Sequence, residues 1–155
     1  MLRHLLVVLT IAAAAAGCAA RTTPPAASPE IQFLATPPDW PYPFSPAVRV
    51  GKLIFLSGQV GARMVDGRLV LVPGGIEAET RQTLDNIRAI VEQSGSSMDR
   101  VVKCTVMIAD MAEWPRMNAI YATYFPGPKP ARSALGANGL ALGARVEIEC
   151  IAVAR

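Results

Sequence analysis

The sequence predicts an α+β domain in which two helices pack on one face of a mixed β-sheet. Three observations predict it. Apolar runs of strand length recur from Val48 to Val72, from Asp99 to Ala109 and from Pro128 to Arg155. Two stretches between those runs carry apolar residues at helical spacing, and a glycine or proline closes each of them. The resulting order is strands, helix, strand, helix, strands.

The chain begins with a short positive leader, Met1 to His4, followed by an apolar run from Leu5 to Ala16 and then Gly17-Cys18. That run is too short for a permanent membrane span and has the layout of a secretory signal over residues 1–17. Ala15-Ala16-Gly17-Cys18 resembles a bacterial lipobox, which implies lipidation of Cys18 and a membrane anchor in the periplasm. Ordinary cleavage nearby, giving a soluble periplasmic protein, and an uncleaved anchor are the other two readings. Residues 18–43 are rich in alanine, threonine and proline and read as a tether, with Trp40 to Phe44 docking at its end. The domain proper is expected over 44–155.

Val48 to Ser57 has a nearly continuous apolar centre, which predicts one strand covered on both faces. Gly58 breaks it, Gln59-Val60 begins another extended piece, and Asp66-Gly67 between apolar runs predicts a hairpin turn. Gly74-Gly75 opens a helix from about Ile76 to Ser94. Thr80, Leu84, Ile87 and Val91 form its buried stripe, and Gly95 its stop. In the next strand Val102, Cys104, Val106 and Ile108 are expected on one face. Asp110 to Glu113 resembles a capping box, and Pro115 fits only a first helical turn. Trp114, Met117, Tyr121 and Tyr124 then line the second helix, which Pro126-Gly127-Pro128 ends.

Composition excludes several kinds of chemistry. The 155-residue chain has a formal charge of +3 with no basic cluster, so nucleic acid is not an implied partner. Its one histidine is His4, inside the leader, so the mature domain cannot run a serine–histidine or cysteine–histidine mechanism. Cys104 and Cys150 lack metal-ligand spacing, and no metal is expected. Both lie on apolar strand faces and read as two buried free thiols, a disulfide outside the cytosol being the alternative.

The informative charges lie in the last segment. Arg132 follows Lys129-Pro130 on a short apolar strand, and Glu147 and Glu149 interrupt the run Val146 to Val153. A charge in such a run is costly to bury without a partner or a ligand. Arg132 and Glu147 therefore either pair with each other or serve a bound molecule.

Four segments together resemble the RidA/YjgF family of reactive intermediate deaminases. They are VGKLIFLSGQVG from Val50, ETRQTLDNIRAIVEQSG from Glu79, VVKCTVMIADMAEWPRMNAIYATYF from Val101 and PARSALGANGLALGARVEIECIAVAR from Pro130. The resemblance implies a chorismate-mutase-like fold, a homotrimer with ligand clefts between subunits, and cofactor-free hydrolysis of 2-imino and 2-enamino acids to keto acids and ammonia. It assigns Arg132 to the substrate carboxylate, Glu147 to the attacking water, Ser57-Gly58 to the lining of the cleft, and Asn118 to the site or its support. An imine is already electrophilic, so a carboxylate clamp, a held water and a proton shuttle are sufficient. Two positions depart from the family pattern. Phe44 stands where the family has a tyrosine, with Tyr42 nearby, and Ala134 stands where a cysteine is common. These departures keep open a trimer that binds small carboxylates without turnover, and a chaperone-like holdase is a further alternative.

Overall fold

The computed structural model describes residues 28–36 and 40–155. The leader and Cys18 lie outside the described residues. Nine strands and two helices follow in order: β1 (Ile31–Phe33), β2 (Ala47–Val50), β3 (Leu53–Leu56), β4 (Gln59–Val60), β5 (Ala62–Val65), β6 (Arg68–Leu71), α1 (Gly75–Gln93), β7 (Val101–Ile108), α2 (Trp114–Tyr124), β8 (Ala131–Gly136) and β9 (Val146–Val153). Seven strands form one sheet in the order β1-β2-β3-β9-β7-β8, with β4 also on β9; β5 and β6 make a separate hairpin. Among the described residues only the β7–β8 pair is parallel, and α2 forms its crossover.

The α+β layer arises because one sheet face is apolar and the helices cover it. Thr80, Leu84, Ile87 and Val91 of α1 are fully buried, and so is Met117 of α2. They meet Ile54, Cys104, Val106, Ile108, Val146 and Ile148, which are also fully buried. Gly95 closes α1 at φ +78, donating its N–H to the Glu92 carbonyl. The hairpin turns at Asp66 and Gly67, both with positive φ, as the sequence predicts.

Five expectations are corrected. Val48 to Ser57 is not one strand: Gly51, at φ +58, turns it into the β2–β3 hairpin, and Arg49 Nε donates to the Gly51 carbonyl. Nor are both faces covered, since Leu53 and Phe55 are exposed while Ile54 and Leu56 are buried. Val102 leaves the core face because a register shift between Val101 and Lys103 turns Val101 inward instead. The box at Asp110 is half formed: Asp110 Oδ1 accepts from Ala112 N, whereas Glu113 Oε1 accepts from Arg145 Nη1. A 3₁₀ turn, Met111–Glu113, therefore precedes α2, and Pro115 sits in the first turn of α2 as expected.

The fourth correction concerns sulfur. Cys104 and Cys150 face each other across the β7–β9 register with Cα atoms 4.1 Å apart, and they form a disulfide rather than two free thiols. Apolar patterning marks both as core residues but says nothing about which pairs with which. Finally, the stretch read as tether contributes β1, which adds to the sheet edge by pairing with β2.

Candidate active site

A break in the sheet beside β9 creates the first half of the site. Between the Phe55–Ile151 and Gln59–Ile148 pairs, the β3–β4 line advances one residue more than β9 does. This is a bulge, and it falls on Ser57-Gly58. Glu147 lies directly over it: a β-carbon on Gly58 would come within 2.0 Å of Glu147 Oε1. Only glycine leaves room for that carboxylate. Glu147 makes no ion pair among the described residues, and burial, with a smaller contribution from the Glu149 charge, holds its carboxyl above the usual carboxylate range.

Glu147 and Gly58 open into a pocket of about 280 Å³ shared with Trp40, Tyr42, Phe44 and Leu142. Phe44 is 47 % exposed and stacks on Tyr42. Trp40 Nε1 donates to the Phe44 carbonyl, which closes this segment on itself. The Tyr42 ring thus lies in the same wall as Phe44, so a phenol is present in the pocket although position 44 lacks one. The Ser57 hydroxyl donates to the Ser45 carbonyl at 2.7 Å and ties the bulge to the docking segment.

Arg132 supplies the other half, at some remove. It pairs with Cys104 in the β7–β8 register and so projects on the helix side of the sheet. Its Nη2 donates to Asn118 Oδ1 at 2.8 Å, and its guanidinium carbon lies 4.5 Å from the Tyr121 ring centre and 5.3 Å from that of Trp114. Two aromatic faces and one amide oxygen thus orient the fork. Among the described residues Arg132 has no carboxylate partner. Burial raises the Tyr121 phenol above its ordinary value, with the Arg132 charge acting in the opposite direction. Ala134, two residues on, pairs with Val106 and lies on the same side as Arg132.

The structure therefore brings together Glu147, Gly58 and Phe44 in one place, and Arg132 with Asn118 in another. It does not join the two groups within one chain. Glu149 is exposed on the same strand face as Glu147 and lines a different depression, with Phe55 and Lys103. Sequence reading missed Trp40 and Leu142 as pocket residues. The density of aromatic residues from Trp40 to Phe44 was the available signal for the first. No group of three or more metal-ligating side chains occurs among the described residues.

Comparison with known proteins supplies a context for this geometry. A family model described as Endoribonuclease L-PSP matches residues 18–154. The 2-iminobutanoate/2-iminopropanoate deaminase of Mus musculus is 47% identical over 111 residues, covering 72% of this chain and 81% of that protein. The crystal structure of the YjgF gene product from E. coli superimposes with a TM-score of 0.71 at 35% identity, over 80% of this chain and 99% of that one. The structure of E. coli TdcF with bound serine gives a TM-score of 0.71 at 29% identity, with the same coverage of both chains.

Proposed function

The chain belongs to the Endoribonuclease L-PSP family, the RidA/YjgF group, and from that premise we propose that it is a 2-imino acid deaminase whose site is assembled from two copies of the chain. One copy contributes Arg132, held by Asn118, and the next contributes Glu147 over Gly58. The observation that carries this reading is that neither charge has an opposite charge beside it among the described residues. The named activity of the mouse relative and the serine bound to TdcF support the choice of substrate, a small amino-acid-derived carboxylate.

The chemistry follows from the residues. The Arg132 fork receives the substrate carboxylate in two parallel hydrogen bonds, each contributing about 1.5–3 kcal/mol. Water adds to C2 of the iminium as Glu147 takes its proton, giving a carbinolamine. That proton returns to nitrogen, the C–N bond breaks as Glu147 takes the remaining hydroxyl proton, and the keto acid leaves together with ammonia, which carries that last proton away as ammonium. A carboxyl held above its ordinary pKa is suited to both transfers. An apolar pocket bearing a carboxylate would repel a phosphate chain, which favours imine hydrolysis over RNA cleavage.

The open face of the sheet supports the assembly. Leu53 and Phe55 lie exposed beside Ile151 on the side away from the helices, as expected of a surface covered by other subunits of a homotrimer. The disulfide suits an oxidising compartment and so agrees with a lipid-anchored periplasmic protein. Replacing Cys18 with alanine would move such a protein from the membrane to the soluble fraction.

Freshly generated 2-iminopropanoate tests the activity. Its decay should accelerate with the protein and return to the spontaneous rate with Arg132→Ala. Equal decay with and without the wild-type chain would leave a carboxylate-binding trimer, a reading that the loss of the hydroxyl at Phe44 favours.

A further inference from the structure

We infer that the pocket selects 2-imino acids with bulky apolar, above all aromatic, side chains rather than the three- and four-carbon imines. The inference rests on the deaminase reading and adds its substrate class. Two independent features of the pocket carry it.

The first is the aromatic wall. Trp40 meets Tyr42 edge-on at 5.0 Å and Phe44 at 6.2 Å, while Tyr42 and Phe44 stack at 5.6 Å with planes 26° apart. The hydrogen bond from Trp40 Nε1 to the Phe44 carbonyl locks the three rings as a unit before any ligand arrives. Phe44 remains 47 % exposed in spite of this. Rigid aromatic surface next to an acid–base group binds an apolar substituent at little entropic cost. Because Tyr42 and Phe44 stack on each other, the trio forms a wall and not a box around a cation.

The second is Leu142, which lines the same pocket. It adopts φ 60, ψ 9, the left-handed conformation that favours glycine, and its side chain is 56 % exposed. Leucine at such a position gives up both backbone preference and burial. With Leu69 it adds apolar surface to the pocket that Glu147 also lines. The pocket of about 280 Å³ is close to the lower size of drug-like ligand sites, about 300–1,000 Å³, and a methyl group would leave most of it filled with water. A benzyl group on C2 would fill more of this apolar lining while its imine carbon stays beside Glu147.

The test uses the full-length protein and two imines made in place by an amino-acid oxidase acting on phenylalanine and on alanine. The expected result is a kcat/KM for 2-imino-3-phenylpropanoate at least about tenfold above that for 2-iminopropanoate. Leu142→Gly suits the φ +60 backbone and should fold, and it should cut that ratio at least about threefold. Trp40→Ala should lower the ratio in the same direction. Equal rates, or a preference for the smaller imine, overturn the inference and leave the deaminase reading intact. If neither imine is hydrolysed, the deaminase reading fails and calorimetry with the stable keto acids decides the pocket. Phenylpyruvate binding at least about tenfold tighter than pyruvate then supports it, and equal affinities overturn it.

Discussion

Arg132 and Glu147 stand on opposite faces of one sheet. Arg132 shares register with Cys104, whose sulfur is bonded to Cys150 on the helix side. Glu147 is an odd number of residues from Cys150 along β9 and shares register with Met107, on the open side. The two side chains therefore cannot hold one small molecule from within a single chain. The alternative that they pair with each other inside the subunit is removed for the same reason.

Gly58→Ala tests the bulge. The added carbon would lie 2.0 Å from Glu147 Oε1 and 3.0 Å from its carboxyl carbon, so the side chain must swing away. A displacement of about 1 Å in a catalytic group costs about a hundredfold. We expect kcat/KM for the imine to fall by about that factor while far-ultraviolet circular dichroism stays unchanged. Retained activity would show that Glu147 works from another position.

Asn118 positions the arginine by accepting from Nη2 at 2.8 Å. Asn118→Asp would place a carboxylate on that nitrogen and make it compete with the substrate for the fork. KM should rise by about tenfold or more, the equivalent of one charge-assisted hydrogen bond, with kcat less affected. An unchanged KM would mean that Arg132 does not bind the substrate acid.

The Glu149 charge helps to raise the Glu147 pKa, after burial. Removing a negative neighbour makes deprotonation easier, so Glu149→Gln should move the acidic limb of the kcat/KM profile to lower pH. A limb that stays in place or moves upward would assign it to a different group.

The disulfide closes a stretch of 46 residues. Cross-links over such spans contribute about 2–4 kcal/mol, so a reductant should lower the urea midpoint by a corresponding amount. Under denaturing, non-reducing conditions, alkylation should label neither Cys104 nor Cys150, and both should be labelled after reduction. Labelling without reductant would restore the free-thiol reading.

These tests depend on features the sequence reveals unevenly. The α1 stripe, the Gly95 stop and the Asp66-Gly67 turn were legible because periodicity and glycine carry local information. The hairpin at Gly51 was not, since apolar residues on both sides make VRVGKLIFLS read as continuous. Val102 was misplaced because one bulge reverses the alternation. Arg132, Glu147, Gly58 and Asn118 were identified as site residues from the family resemblance, but their partition between two faces depends on register, which spacing along the chain does not encode. Leu142 left no trace as a pocket residue, since its left-handed backbone is not written in any local pattern.

Mixing two inactive variants tests the shared site most directly. Arg132→Ala and Glu147→Gln, each without activity alone, should be denatured together and refolded at equal concentration. Sites that join an intact arginine from one chain to an intact glutamate from another should then restore about a quarter of wild-type imine hydrolysis. A mixture as inactive as its two components would place both groups in one subunit and contradict the account.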